Sequence, residues 1–260
     1  MNPGFLSGLV EAASTDYRRA GRFAWHFARG KLAGDPIFSS LLERGLIADG
    51  ARVLDLGCGQ GLLAAWLFAA RGRYEAGQWP EGWPPPPRLS AYRGIELMAP
   101  DARRARLALG ERAEIVVGDI RAADLGEPDT AVILDVLQFI GHQDQEDLLA
   151  RLHGALSPAG TLLLRVGAAE GGAGFALGVC LDYLVALVRG HGLARFHCRA
   201  LSDWENLPRR LGFSVECLPM GQGTPFANFL LIARKNPPAA APAESAGARE
   251  TQTPGECASR

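Results

Sequence analysis

Residues 53–61 of the chain read Val-Leu-Asp-Leu-Gly-Cys-Gly-Gln-Gly, an apolar segment that runs into three closely spaced glycines. The apolar run predicts a buried strand, and the helical pattern that follows at 60–71 makes the glycines a tight strand-to-helix turn. In α/β sheets such turns lie at the carboxyl ends of the strands, where nucleotide-like ligands bind. The candidate ligand-binding residues of this turn are Gly57, Cys58, Gly59 and Gly61.

The spacing of the glycines does not fit a dinucleotide-binding turn. The fingerprint G-x-G-x-x-G would place its third glycine at position 62, which is Leu62. Asp55, two residues before the turn, would put a carboxylate beside a pyrophosphate, which is unfavourable, but it would attract an ammonium or sulfonium group. The turn therefore favours a zwitterionic or cationic nucleoside, and a nucleotide-cofactor oxidoreductase is the weaker alternative.

From the glycine turn onward, short apolar runs alternate with helical segments. Strands interleaved with helices predict an α/β fold with a doubly wound, mostly parallel sheet. The predicted strands are 53–56, 92–97, 115–117, 131–134, 161–166, 213–218 and 229–233, and the predicted helices between them are 60–71, 99–109, 144–156 and 202–211. The last two strands are expected to form a hairpin, and Ser202 with Glu205 is expected to form a capping box.

Residues 1–49 are predicted to form an N-terminal helical cap. Apolar positions at three- and four-residue steps predict one helix over 5–29, followed by a break at 30–34. Asp35-Pro36 supplies an N-cap and a proline at the first helical position, which predicts a second helix over 37–47.

The α/β domain is expected over 50–235. Its proline-rich stretch at 72–90 reads as a surface insertion. A glycine-rich hinge and an apolar helix at 175–188 predict a helical lid over 167–200. Residues 236–260 contain little to bury and are predicted to be a disordered tail.

An acidic residue stands at the end of each of the next three predicted strands. Glu96 closes the second strand, where a carboxylate can accept both ribose hydroxyl protons. Asp119 follows the third strand, where it can accept from an adenine amino group, and Asp135 follows the fourth. Taken singly, each acid fits a helix N-cap or a solvated loop equally well. With Asp55, however, four acids at four successive strand ends favour a ligand site.

The ordered series VLDLGCGQG, GIEL, VVGDI, ILDVLQFI, LHGALSPAGTLLLRV and LGFSVECL resembles the class I S-adenosylmethionine-dependent methyltransferases over residues 50–235. The resemblance implies an enzyme, a seven-stranded sheet with an antiparallel last strand, and S-adenosyl-L-methionine as cofactor. It places Asp55 near the methionine amino group and Glu96 on the ribose. The residues it assigns to the cofactor are Asp55, Gly57, Cys58, Gly59, Gly61, Glu96, Leu97, Asp119, Ile120 and Asp135.

The sequence departs from the family at the segment after the fourth strand. Small-molecule members often carry Val-Leu-Glu-His there, whereas residues 136–139 read Val-Leu-Gln-Phe, so the acid and the histidine are missing. For an alcohol or phenol acceptor, a neutral histidine is the expected proton acceptor. His142 is the first candidate, ahead of His26 and His191, and Asp135 is the second catalytic candidate. An ordinary surface or helix-cap histidine fits each of these positions as well.

Two groups of cap residues are further candidates. Tyr17, Phe23, Trp25 and Phe27 either line the acceptor pocket or belong to the core of a packed helix. Arg29 and Lys31 either pair with the methionine carboxylate or are solvated.

Composition bounds the partners and the location. A formal net charge of -1, from 27 basic and 28 acidic residues, gives no overall attraction for nucleic acid. The five cysteines lack CxxC pairs and zinc-site spacing, which favours a reducing cytoplasm and no metal site. Since no apolar run reaches the ~18 to 20 residues that span a bilayer, any membrane contact is expected to be peripheral.

The identity of the acceptor stays open. The predicted lid and the basic residues that follow its helix fit an anionic hydrophobic acceptor, and they fit a buried helix with a solvated loop equally well. We expect transfer to a small-molecule or acyl-carrier-linked acceptor, at oxygen rather than at carbon or nitrogen. A non-catalytic nucleoside-binding scaffold is the second alternative, and no feature of the sequence specifies the oligomeric state.

Overall fold

A seven-stranded sheet forms the centre of the part of the chain that the structure describes. The computed structural model describes residues 3–167, 196–221 and 228–236. Across the sheet the strands follow the order β3-β2-β1-β4-β5-β7-β6. The strands are β1 (Arg52–Leu56), β2 (Ala91–Glu96), β3 (Glu114–Val117), β4 (Thr130–Leu134), β5 (Thr161–Gly167), β6 (Phe213–Pro219) and β7 (Asn228–Lys235). The predicted fold class is therefore confirmed.

The first five strands are parallel, and β7 runs antiparallel to both of its neighbours, β5 and β6. From β1 the chain proceeds outward to β3 on one side and then returns to place β4 on the other side of β1. In the register, Asp55 of β1 lies opposite Gly94 of β2 and Val132 of β4. The reversal between β1 and β4 leaves a crevice at their carboxyl ends, the usual ligand position in such sheets.

Helices cover both faces of the sheet. Within the described residues the α-helices are α1 (Pro3–Thr15), α2 (Arg22–Gly34), α3 (Pro36–Glu43), α4 (Leu62–Glu75), α5 (Ala99–Leu109), α6 (His142–Ala155) and α7 (Leu201–Arg210). Because strand side chains alternate between faces, Val53 packs in one core, whereas Leu54 and Leu56 pack in the other. The Val53 face is covered by α1 to α5, and the opposite face by α6 and α7.

The predicted single cap helix over 5–29 is wrong. A 3-10 turn (Asp16–Ala20) follows α1, and Gly21, with a φ of 106°, separates it from α2. The predicted break at 30–34 is also wrong, because α2 continues through Gly34. The apolar spacing runs on across Gly21, so periodicity alone did not reveal the interruption.

Of the two predicted helix caps, the one at α3 is confirmed and the one at α7 is wrong. The side chain of Asp35 accepts a hydrogen bond from the amide of Ile37 at 3.1 Å, as an N-cap should, although α3 ends earlier than predicted. The capping box at Ser202 is wrong, because α7 begins at Leu201 with Ala200 as its N-cap and no side-chain capping bond.

The proline-rich insertion packs against the cap. Phe5 of α1 makes edge contacts with Trp79 and Trp83, at ring-centroid distances of 5.4 and 5.8 Å. Such aromatic pairs add to the stabilisation from burial. The predicted start of the insertion at residue 72 is wrong, because α4 continues to Glu75. The rest of the insertion lengthens the loop between α4 and β2 without changing the order of the strands.

The antiparallel pairing of β6 with β7 confirms the predicted hairpin, although residues 222–227 between these strands lie outside the described residues. The predicted lid and the predicted tail fall largely outside them too, over 168–195 and 237–260. The domain limits at residues 50 and 235 stay predictions. In the part of the chain that the structure describes, no helix combines the length and the apolar character needed to cross a bilayer.

Candidate active site

The glycine turn leaves β1 with left-handed backbone at all three glycines. The φ angles of Gly57, Gly59 and Gly61 are +75°, +56° and +75°. A Cβ at Gly57 would overlap the side chain of Val136, and one at Gly61 would lie 2.6 Å from that of Leu109. At Gly59 no atom lies within 4 Å of the Cβ position. The outer glycines are therefore needed for packing, and the middle one leaves room for a ligand to approach the backbone.

Glu96 is directed at this turn from the end of β2. One carboxylate oxygen accepts from the amide of Gly59 and the other from the amide of Met98, both at 2.8 Å. The residue is only 8% exposed. Each oxygen keeps a second lone pair, so the carboxylate is fixed in place and can still accept from ligand hydroxyls.

Asp55 is the most deeply buried acid of the site, at 4% exposure. The hydroxyl of Tyr92 donates a hydrogen bond to one of its oxygens. Burial raises the pKa of Asp55 to about 7; the bond from Tyr92 opposes that rise, and the charge of Glu96 adds to it. This carboxyl group therefore titrates near neutral pH, and a nearby ligand cation would favour its ionised form.

Asp119 lies beyond β3 and is paired within its own loop. Its carboxylate accepts from the guanidinium of Arg121, at 2.5 Å for the shortest contact, and that bond lowers the pKa of Asp119. Ile120 is buried in the core. Leu97 and Val117, at the ends of β2 and β3, are 57% and 42% exposed. Leu97 directly follows Glu96, and Val117 lies opposite Glu96 in the β2–β3 register.

Asp135 belongs to a group of four charged side chains that we call the Arg165 cluster: Lys31, Asp35, Asp135 and Arg165. Arg165 of β5, whose side chain is 3% exposed, donates to Asp35 at 2.5 and 2.8 Å and to Asp135 at 2.8 Å. Lys31 Nζ lies 2.7 Å from Asp35 and 4.0 Å from Asp135. The cluster joins the cap to the carboxyl ends of β4 and β5.

The backbone of Asp135 is in the left-handed region, with a φ of 60°. Non-glycine residues seldom adopt this conformation, and it clusters at functional sites. The turn it makes lets the carboxylate reach Arg165, while the next residue, Val136, lies against Gly57. The cluster therefore lies beside the glycine turn.

Two of the three candidate histidines, His142 and His26, are exposed at the surface of helices. His142 is exposed at the first position of α6, and its ring centroid lies 5.6 Å from that of His197. His26 is exposed on α2 beside Trp25, and His191 lies outside the described residues. Over the described ranges, no three His, Cys, Asp or Glu side chains lie close enough together to hold a metal ion.

A buried glutamine fixes the segment that carries His197. Gln145, 0% exposed, donates to the backbone carbonyls of Leu137 and His197 at 2.9 and 2.8 Å. Its amide oxygen accepts from Arg199 at 2.7 Å. Because every polar group of Gln145 is satisfied, the turn after β4 and the 196–199 segment are held together.

Two cap residues have partners within the protein. Tyr17 is fully buried, and its hydroxyl donates to the carbonyl of Gln60 at 2.8 Å, so it supports the glycine turn from the core. Arg29 donates to Glu11 and lies 5.1 Å from the ring centroid of Trp25. Tyr17 therefore takes the core role, and the guanidinium of Arg29 is directed to Glu11.

Sequence reasoning missed Arg165, Asp35 as its partner, and Tyr92. The signal for Arg165 was present, because it interrupts the apolar run Leu162-Leu-Leu-Arg-Val of a central strand. An arginine buried in such a strand must be paired. The identity of its partners was not readable, since Asp35 lies 130 residues away in the chain.

No model of a known protein family matches the sequence. One curated protein, the carboxy-S-adenosyl-L-methionine synthase of Chromohalobacter salexigens, is 36% identical over 130 residues. The match covers 46% of this chain and 43% of that protein, so the chain aligns with less than half of the relative's length.

Solved structures share the fold over most of the chain. An O-methyltransferase family protein from Burkholderia thailandensis matches with a TM-score of 0.58 at 18% identity, covering 85% of this chain and 63% of that one. The magnesium protoporphyrin IX methyltransferase of Synechocystis, solved with bound SAH, matches at 0.53 and 18%, covering 85% and 94%. Human N-acetylserotonin methyltransferase in complex with SAM matches at 0.55 and 18%, covering 87% and 59%. At these identities the matches establish a shared architecture.

Proposed function

We propose that this chain, whose fold is that of the class I S-adenosylmethionine-dependent methyltransferases, transfers a methyl group from S-adenosyl-L-methionine to the oxygen of a small-molecule or acyl-carrier-linked acceptor. The observation that carries the proposal is the open space at Gly59, with Glu96 hydrogen-bonded to its amide and Asp55 buried beside it. The curated relative, named for an S-adenosylmethionine derivative, and the O-methyltransferase neighbour support the same class.

The residues of the crevice fit this cofactor. Glu96 would accept from the ribose hydroxyls, and the exposed side chains of Leu97 and Val117 would contact the adenine, with Asp119 and Ile120 at its edge. Asp55 would meet the α-ammonium group. When bound, S-adenosylmethionine supplies a methyl group activated by its sulfonium. The chain's own residues then orient the acceptor and exclude water, which supplies much of the acceleration in such a displacement.

We assign the two catalytic candidates different roles. His142 is the proposed proton acceptor, because its exposed imidazole follows the β4 turn and faces His197. Asp135 is proposed to act in binding, since its carboxylate is held by the guanidinium of Arg165.

Binding of S-adenosylhomocysteine, measured by titration calorimetry, tests the cofactor assignment. We expect Glu96→Gln to weaken binding at least about tenfold, because hydrogen bonds to a charged group are lost. Glu111→Gln, which changes an exposed acid beyond α5, should leave the affinity unchanged. Binding of NAD without S-adenosylhomocysteine would instead support an oxidoreductase.

A panel of alcohols, phenols, carboxylic acids and amines, free and as pantetheine thioesters, tests the acceptor. Formation of S-adenosylhomocysteine with oxygen nucleophiles supports the proposal, and turnover of amines alone contradicts it. His142→Ala should slow turnover of alcohols and phenols and change its pH profile, while leaving cofactor affinity intact. Binding without turnover across the panel would favour a scaffold.

The curated relative favours one second candidate, a reaction on the cofactor itself. Its printed name describes the synthesis of carboxy-S-adenosyl-L-methionine. Mass spectrometry of the cofactor after incubation with the protein and a cell extract distinguishes the two reactions. Loss of the methyl group to give S-adenosylhomocysteine supports methyl transfer, whereas a gain equal to the mass of carbon dioxide supports the second candidate.

A further inference from the structure

One face of α2 extends along the carboxyl end of the sheet. Phe23, Phe27 and Lys31 are four residues apart, so they share a face of this helix. The rings of Phe23 and Phe27 stack at a centroid distance of 6.1 Å. At one end Arg104 of α5 lies 5.1 Å from the ring of Phe23, and at the other end Lys31 approaches Asp135 after β4. The face therefore runs from the β2 side of the sheet to the β4 tip.

Lys31 is the outermost member of the Arg165 cluster. Its side chain is 40% exposed, against 29% for Asp135, 9% for Asp35 and 3% for Arg165. An ammonium group has three donors, and here one lies 2.7 Å from Asp35. The second carboxylate is 4.0 Å away, beyond normal hydrogen-bond distance. Donors of Lys31 thus stay available to a ligand.

The cluster is balanced, with two cations and two carboxylates. The buried Arg165 donates to both aspartates, so its positive charge offsets part of the negative charge that holds Lys31. The most exposed group of the cluster is then a cation that its partners hold in place. The ammonium group of Lys31 lies near the glycine turn, because it is 4.0 Å from Asp135 and the next residue, Val136, packs against Gly57.

We propose that Lys31 binds the α-carboxylate of the cofactor's amino-acid end, with Asp35 and Asp135 positioning the ammonium group and Arg165 positioning the two aspartates. The inference rests on the proposed function. Lys31 lies 4.0 Å from Asp135, which follows β4, so it borders the β1–β4 crevice beside the turn at which Glu96 would hold the ribose. Arg29, the other cation considered for this role, is directed away to Glu11 and Trp25.

Two ligands that differ in their amino-acid end test the assignment. S-adenosylhomocysteine carries the α-carboxylate, whereas 5′-methylthioadenosine lacks the whole amino-acid end. We expect Lys31→Met to weaken S-adenosylhomocysteine about 10- to 100-fold, the effect of losing a hydrogen bond between charged groups. The same variant should bind 5′-methylthioadenosine as the parent protein does. Lys31→Arg should recover most of the loss.

Arg29→Met is the matched control, since it removes a cation from the same helix, two residues earlier. It should change the affinity for neither ligand, and thermal melts verify that each full-length variant is folded. Equal weakening of both ligands by Lys31→Met, or no weakening of either, would overturn the inference and leave the proposed function standing. If the parent protein binds neither ligand, the proposed function fails and the inference fails with it.

Discussion

The buried carboxyl group of Asp55 makes cofactor binding depend on pH. Its pKa is raised to about 7 by burial, so below that pH the group is mainly protonated. A ligand ammonium interacts favourably only with the ionised form, and binding at lower pH must therefore release a proton. With this pKa, the ionised fraction rises from about 0.1 at pH 6 to about 0.9 at pH 8. The affinity for S-adenosylhomocysteine should be about tenfold higher at pH 8.

Calorimetry in buffers of different ionisation enthalpy measures both the affinity and the protons released. We expect about 0.9 proton per ligand at pH 6 and about 0.1 at pH 8. Asp55→Asn keeps an oxygen that can accept from Tyr92 but cannot ionise. This variant should bind weakly, with an affinity that does not change between these pH values.

The ligand 5′-methylthioadenosine provides the control, because it lacks the ammonium group and should show no such pH dependence. The reasoning fails if S-adenosylhomocysteine binds equally well at pH 6 and pH 8. It also fails if the asparagine variant keeps the full tenfold change, since another group would then be titrating.

Four substitutions test the packing and the ion pairs around the site. Gly57→Ala should destabilise the protein by about 2 to 4 kcal/mol in urea unfolding, from left-handed backbone strain plus overpacking, whereas Gly59→Ala should cost only about 1 to 2 kcal/mol; equal losses would contradict this packing. Tyr17→Phe should cost about 1 to 2 kcal/mol, because it leaves a buried carbonyl without its donor, and an unchanged melting temperature would argue against that bond. Arg165→Met should cost about 3 to 5 kcal/mol near neutral pH. Although burial alone would raise the pKa of Asp35, Arg165 holds it below the ordinary value. This stabilisation is therefore complete above about pH 4. It is lost as the pH falls through the lowered pKa, so the effect of Arg165→Met should shrink in acid; a pH-independent loss would count against the ion pairs.

Most of the sheet could be predicted because each strand carries its own local signal. Buried parallel strands appear as short apolar runs, and the helices between them repeat every three to four residues. The predicted helix at 99–109 coincides with α5. The cap was harder, because Gly21 breaks the helix without breaking the apolar spacing on either side. A single glycine is a weak signal, since helices also tolerate it.

The acids at the strand ends were predictable for a topological reason. In a parallel sheet the carboxyl ends of all strands lie on the same side. Asp55 and Glu96, at the ends of neighbouring strands, were therefore expected to lie near each other and near the glycine turn. The Arg165 cluster depends instead on how the cap folds back onto the sheet. Since Lys31 and Asp35 come from the cap and Arg165 comes from β5, no local pattern relates them. Their contact follows only from the three-dimensional packing.

The two ends of the proposed ligand therefore meet groups of different physical character. Glu96 accepts amide hydrogen bonds from the turn and from the residues after β2, so its position is set before any ligand binds. The charged end meets Asp55, whose ionisation changes near neutral pH, and Lys31, which the cap supplies. Changes at Asp55 or Lys31 should consequently leave a nucleoside without an amino-acid end unaffected, whereas changes at Glu96 should weaken every adenosine ligand. A site that held its ligand only by shape would not separate these two responses.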